Sequence, residues 1–185
     1  MPPTIIIQAR SNSKRLPNKV LADICGKPML WHVFNRCISS GIMSVIAIPE
    51  GDKPLIDFCS TNAIPFYEGD ENDVLDRYYQ AARIFYADPV LRVTGDCPLI
   101  DSTLIKELHL LFNANTYDYI SLCCGAAAVT CPTGRSFPDG LDCEIMSFSA
   151  LEEAWEEATR PSDREHVTPY IWTRPDSFMV GRFEP

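Results

Sequence analysis

No apolar run among the 185 residues approaches the roughly 20 that a membrane-spanning helix needs, so nothing here reads as a bilayer span. A basic excess is also missing: 16 Lys and Arg stand against 25 Asp and Glu, for a formal charge of −9. That balance argues against nonspecific nucleic-acid binding and leaves room for a local basic patch serving a small anion. The N-terminus, Met1-Pro2-Pro3-Thr4-Ile5-Ile6-Ile7, lacks the basic start and long apolar stretch of a signal peptide and reads as a first strand. A cytoplasmic location is the default expectation. Eight cysteines are many for this length, yet Cys25, Cys37, Cys59, Cys97, Cys123, Cys124, Cys131 and Cys143 form no CxxC pair and no Cys/His zinc spacing. Free thiols are the expectation, with the stretch 123–143 the one place to test for a metal or disulfide. Internal repeats, low-complexity segments and a Walker-type GxxxxGK[ST] loop are all absent.

What is present is enough apolar side chain for a real core, 46% of residues against 22% charged, in a length that suits one domain. Short apolar runs at 4–8, 44–48, 64–67, 90–94, 117–122, 142–146 and 178–182 read as strands. Helix-period stretches at 29–39, 54–62, 73–86 and 104–113 lie between them. This alternation predicts an α/β fold with a mostly parallel sheet. Asp101 is placed to cap the helix carrying Leu104, Ile105, Leu108, Leu111 and Phe112. Ser149 and Glu152 have capping-box spacing before the stripe Leu151, Ala154, Trp155, Ala158, and Ser162 and Glu165 repeat that spacing. Glu152, Glu153, Glu156 and Glu157 read as a solvated helix face. The stretch 123–138 has no clear period and reads as a long loop.

The first strand runs into Gln8-Ala9-Arg10-Ser11-Asn12-Ser13-Lys14-Arg15-Leu16-Pro17-Asn18-Lys19, which holds four of the 16 basic residues and no acidic one. The carboxyl end of a first strand is where α/β sheets bind ligands. Cations, backbone N–H groups and small polar side chains there suit a polyphosphate. Asp96, ending a strand at Gly95-Asp96-Cys97-Pro98, is either a ligand for a hard cation or a turn aspartate, and the residues alone leave the two open. Asp73 and Arg77 have i, i+4 spacing for a surface ion pair. Asp142 and Glu144 would share one face of a strand. Pro138-Asp139-Gly140 has the make-up of a turn, and Arg164 and His166 open a helix.

Taken in order, Gln8-Ala9-Arg10 with Ser13, Arg15, Leu16, Pro17 and Lys19, then Gly26-Lys27-Pro28-Met29-Leu30, Asp73-Val74-Leu75-Asp76-Arg77-Tyr78, Arg92-Val93-Thr94-Gly95-Asp96-Cys97-Pro98-Leu99, Phe137-Pro138-Asp139-Gly140-Leu141-Asp142 and Arg164-Glu165-His166-Val167-Thr168-Pro169 span essentially the whole chain. This series resembles the cytidylyltransferases that make CMP-sugars, the CMP-sugar synthetase family, and most of all the spore coat polysaccharide biosynthesis protein F-type branch.

The resemblance implies a three-layer α/β/α fold of the nucleotide-diphospho-sugar transferase, Rossmann-like type, and a Mg²⁺-dependent transfer of CMP from CTP to a sugar-acid-like acceptor with release of pyrophosphate. It implies that Gln8, Ala9, Arg10, Ser11, Asn12, Arg15 and Lys19 hold the triphosphate, with Lys19 stabilising the departing pyrophosphate. Asn72, Asp73 and Arg77 would read the base. Asp96 would bind Mg²⁺, and Arg10, Arg15, Lys19 and Asp96 would form the catalytic set. Asp139, Asp142, Glu144, Arg164 and His166 would meet the acceptor. Partners would be CTP and the acceptor, without nucleic acid or membrane, and homodimers are common among such enzymes. Related chains continue past the last strand into a segment bearing a second metal-binding aspartate. The expectation is therefore a single domain, 1–185, without that C-terminal segment. Two further readings fit the same residues: a glycosyltransferase of the same fold using a nucleotide-sugar donor, and a catalytically weak nucleotide-binding or assembly domain.

Overall fold

The computed structural model describes residues 1–13, 16–122, 137–138 and 140–183. The chain opens with β1 (Thr4–Gln8), a single 3-10 turn (Lys19–Leu21) and a small hairpin of β2 (Asp23–Ile24) and β3 (Lys27–Pro28). Then follow α1 (Met29–Ile38), β4 (Met43–Pro49), α2 (Lys53–Thr61), β5 (Phe66–Gly69), α3 (Val74–Ile84), β6 (Val90–Thr94) and α4 (Ser102–Asn113). The rest comprises β7 (Tyr119–Ser121), β8 (Cys143–Met146), α5 (Phe148–Glu157), α6 (Pro161–His166), α7 (Pro169–Trp172) and β9 (Val180–Arg182).

Seven strands form one sheet in the order β5-β4-β1-β6-β8-β7-β9. β1 pairs in parallel with β4 on one side and β6 on the other, so Gln8 is level with both Ala47 and Thr94. β8 runs antiparallel to β6 and β7, and β9 is parallel to β7. The expected mostly parallel sheet is present, with β8 as its one reversed strand among the described residues. Both faces are covered, which is why β1 and β4 read as continuous apolar runs rather than alternating ones. One face packs Ile5, Ile7, Leu91, Val93 and Ile145 under α1, α2 and α4. The other packs Ile6, Val45, Val90 and Met146 under α3, α5 and α7. The result is the three-layer α/β/α architecture.

Local chemistry sets several boundaries. Asp101 caps α4 by accepting from the backbone N–H groups of Thr103 and Leu104. The cap of α5 is Ser147, whose Oγ accepts from Ala150 N at 3.1 Å, rather than Ser149. The helix begins two residues earlier than the spacing predicts, and Ser149 Oγ meets the Ser147 hydroxyl instead. Ser162 caps nothing: α6 starts at Pro161, whose fixed φ suits a first helical turn. The hairpin of β2 and β3 and the short α7 were not expected, because elements of two and four residues carry no readable period. Among the described residues, no helix is long and apolar enough to cross a membrane.

Candidate active site

The strand order reverses direction at β1, and such a reversal opens a crevice at the carboxyl ends of the strands. Gln8 and Thr94 end the two strands that flank it. Gly95 follows, donating its N–H to Gln8 O at 2.8 Å. A Cβ on Gly95 would stand 3.0 Å from Gln8 O and 3.1 Å from both Ala9 Cβ and Leu30 Cδ1. The close approach of the two strand ends therefore favours glycine, since a side chain there would force its neighbours to give by a few tenths of an ångström. It also aims Asp96 into the crevice mouth, where its carboxylate takes a 2.8 Å hydrogen bond from Lys19 Nζ. Partial desolvation pushes the Asp96 carboxyl up, but hydrogen bonds from Lys19 and Thr94 outweigh it and hold it below the ordinary carboxylate value.

The loop between β1 and Lys19 is tied down at both ends. Ala9 is buried and gives its N–H to Ala47 O. Ser11 N donates to Asp52 Oδ2 at 2.8 Å, and Ser11 O accepts from both Ser13 N and Asn18 N. Asn18 adopts a left-handed conformation, φ 57°, which asparagine tolerates, and so starts the turn that presents Lys19. Arg10 and Asn12 point out into solvent, with Asn12 at 3.5 Å from Glu71 Oε1. Lys14 and Arg15 lie outside the described residues. Asp52, which ties Ser11 while also capping α2, was missed by sequence reasoning; its only signal was a cap before Lys53-Pro54.

Beside this loop, Arg77 is 1% exposed. Its Nη1 donates to Asp70 O at 2.7 Å, while its Nε finds no partner among the described residues. Burial pulls the guanidinium below its ordinary value, and Arg10 is near enough for its positive charge to pull the same way. An anion close to both groups would relieve that repulsion. The turn that holds Arg77 is itself held by Asp70, which accepts from Asn72 N and Asp73 N. Asn72 is exposed at its tip.

Two expectations are corrected at Asp73. The i, i+4 pair with Arg77 is not formed, because Arg77 turns inward to Asp70 O. Nor is the Asp73 carboxylate open to a base. It caps α3 by accepting from Asp76 N and receives a two-pronged ion pair from Arg164, with Nη2 to Oδ2 at 2.6 Å. Arg164 also donates to Trp155 O. Its fork is thus engaged within the protein rather than offered to an acceptor carboxylate, and it locks α6 onto α3.

Asp142 precedes β8 instead of sharing a strand face with Glu144. Its Oδ2 accepts from Gly140 N at 3.2 Å and from Cys97 Sγ at 3.8 Å, which brings it to the segment that carries Asp96. Glu144 corrects the expectation of an acceptor contact: it is 2% exposed, ion-paired to Arg92 at 2.5 Å, and accepts from Tyr119 Oη and Thr168 Oγ1. Arg92 was missed because an arginine inside an otherwise apolar strand gives no hint of its partner. His166 is half-buried at the end of α6, and Asp139 lies outside the described residues. Cys25, Cys37, Cys59 and Cys97 are free thiols. Cys123, Cys124 and Cys131 lie outside the described residues.

Among the described residues no three His, Cys, Asp or Glu side chains gather as a cation site. Asp96 nevertheless fits a hard cation as a single ligand, since it is held ionised at the crevice mouth.

This sheet, with its crevice at the strand reversal, has the nucleotide-diphospho-sugar transferase type of fold. A cytidylyltransferase structure from Leptospira borgpetersenii matches all of this chain and 76% of its own length, with a TM-score of 0.90 and 29% identity. A CMP:2-keto-3-deoxy-manno-octonic acid synthetase solved with CTP shares the fold, with a TM-score of 0.76 at 18% identity over 100% of this chain and 90% of that one. An uncharacterized protein of Methanocaldococcus jannaschii is 36% identical over 97% of this chain and 71% of its own. The 3-deoxy-manno-octulosonate cytidylyltransferase of an Acidovorax strain is 29% identical over 94% and 67% respectively. Residues 4–182 match the cytidylyltransferase family, and the chain belongs to it.

Proposed function

We propose that this chain transfers CMP from CTP to a hydroxyl of a sugar-acid-like acceptor, releasing pyrophosphate, in cytoplasmic synthesis of a surface polysaccharide or glycoconjugate. Its motif wording favours the spore coat polysaccharide F-type branch of the family. The observation that carries the reading is the Lys19–Asp96 pair at the carboxyl ends of β1 and β6. It sets a mobile cation for phosphate beside an ionised carboxylate for a hard cation. The names of the 3-deoxy-manno-octulosonate relatives support a sugar-acid acceptor.

In this reading Arg10, Arg15 and Lys19 receive the triphosphate and Asn72 meets the base, while buried Arg77 braces the turn that presents Asn72. The acceptor hydroxyl attacks the α-phosphorus in line, and the bond to the bridging oxygen of pyrophosphate breaks as the new P–O bond forms. Lys19 donates to the leaving phosphates, where negative charge accumulates. Mg²⁺ held by Asp96 would supply charge neutralisation to the phosphate oxygens. Asp139, Asp142 and His166 would serve the acceptor in this reading, with His166 suited to carry the hydroxyl proton.

The test is pyrophosphate release with each of the four nucleoside triphosphates, a panel of sugar acids, and Mg²⁺ present or chelated. CTP should be preferred, chelation should abolish turnover, and Asp96→Ala or Arg15→Ala should lower kcat/KM by about a hundredfold or more. Sugar transfer from a nucleotide-sugar without pyrophosphate, or variants as active as the parent, would overturn the reading.

A further inference from the structure

A line of polar side chains crosses the buried face of the sheet directly under the crevice. Deeper on that face the same strands bury Ile6, Val90 and Met146. One step towards the carboxyl end stand Gln8, Arg92 and Glu144, all linked. Arg92 Nη2 donates to Gln8 Oε1 at 3.3 Å, and Arg92 Nη1 donates to Glu144 Oε2. Glu144 Oε1 accepts from Tyr119 Oη at 2.5 Å and from Thr168 Oγ1 at 2.9 Å. Burial alone would pull the Arg92 guanidinium down, and the Glu144 carboxylate outweighs it and pushes it up.

A buried ion pair is a poor device for stabilising a sheet whose backbone ladders and apolar neighbours already hold it. The pair is not even fully satisfied, since Arg92 Nε has no partner among the described residues. What distinguishes it is where its two ends lead. Gln8 is the last residue of β1, from which the basic loop departs. Thr168 is 1% exposed and closes a tight turn: its N–H donates to His166 O at 2.9 Å across Val167. Val167 there has φ 72° and ψ −58°, a strained conformation for a β-branched residue, which persists only where surroundings over-determine it. Val167 is itself fully buried. The Thr168 hydroxyl is the turn's one side-chain hydrogen bond to the sheet among the described residues.

We infer that Glu144 is a positioning residue: through Thr168 it holds the strained His166–Thr168 turn, and through Arg92 and Gln8 it keeps that turn in register with the nucleotide loop. His166 is thereby set against the acceptor while the loop holds the donor. The kinetic consequence rests on the cytidylyl-transfer reading; the geometric one does not.

Thr168→Val removes the hydroxyl and keeps the shape, and Thr168→Ser keeps the hydroxyl. Tyr119→Phe removes the other donor to the same Glu144 oxygen without touching the turn, and so reports what the loss of a buried hydrogen bond does by itself. Each is made in the full chain and read in two ways. One is the KM for acceptor and for CTP from pyrophosphate release. The other is the ring carbon–proton NMR signal of His166 without substrate, assigned by its loss in His166→Gln. Thr168→Val should shift the His166 signal and raise the acceptor KM about tenfold or more, with the CTP KM changed by less than about twofold. Thr168→Ser should restore both, and Tyr119→Phe should lose stability while moving neither. Should Thr168→Val fail to fold, Glu144→Gln, which weakens the same bond at constant shape, takes its place. Equal behaviour of the Thr168 and Tyr119 variants in both readouts overturns the inference. If the parent chain releases no pyrophosphate with any acceptor, the transfer reading falls, and the His166 signal alone decides the coupling.

Discussion

Glycine at position 95 is favoured by contact, not by conformation. Its missing Cβ lets Gln8 O, Ala9 and Leu30 close around the end of β6, and that closure brings Asp96 within 2.8 Å of Lys19. Gly95→Ala should therefore cost about 1–3 kcal/mol in urea unfolding through overpacking, and should weaken CTP binding by calorimetry because Asp96 and Lys19 no longer meet. An alanine variant with parental stability and affinity would show that the loop yields freely. At this scale the sequence was legible where one residue type has one use. Asp101 read as a cap and is one. It was not legible where a charge has a choice of partners. Asp73 carries the right spacing for Arg77 and pairs instead with Arg164, 91 positions away, because α6 folds back over the start of α3.

Between elements, that Asp73–Arg164 contact is what fastens α6 to α3. Its fork geometry makes it stronger than an ordinary surface pair, although both partners remain partly exposed, at 22% and 34%. Asp73→Asn keeps a capping side chain, so it isolates the ion pair from the helix cap. In a double-mutant cycle with Arg164→Met, the coupling energy should be about 1 kcal/mol, and each single variant should cost somewhat more than that. Additive losses would show that the two side chains act separately. Longer elements were legible from periodicity: the expected strands 4–8 and 90–94 coincide with β1 and β6, and α1, α2 and α4 fall within two residues of their expected bounds. The ends drifted where a neighbouring serine competed for the same role, as Ser147 did with Ser149. The hairpin of β2 and β3, with two residues a side, lies below the length at which any pattern can show.

In the molecule as a whole, the core under α1, α2 and α4 seals Cys37 and Cys59 away from solvent. Cys37 and Cys59 are fully buried against α1, α2 and the sheet, and burial pushes both thiols up to about 12. Reactivity requires the thiolate and access, and neither is available in the native state. Cys25, exposed in the hairpin turn, has access. Mass-resolved labelling of the native chain should modify Cys25 within minutes and leave Cys37 and Cys59 untouched until denaturant unfolds the sheet. Labelling of Cys37 well below the unfolding midpoint would reveal a local opening of α1.

The sequence by itself determined the α/β alternation, the parallel strands and the site's starting materials, because burial on two faces and a cluster of cations are properties of neighbours along the chain. It determined the basic segment after β1 and the Gly95-Asp96 turn, and the family match over 4–182 agrees with that order of motifs. Only the tertiary structure decided which charges face the crevice and which are consumed inside. Lys19 meets Asp96 across 77 positions and Arg92 meets Glu144 across 52. A pairing between distant strands depends on sheet order and register, and those follow from the packing of the whole chain rather than from any local pattern.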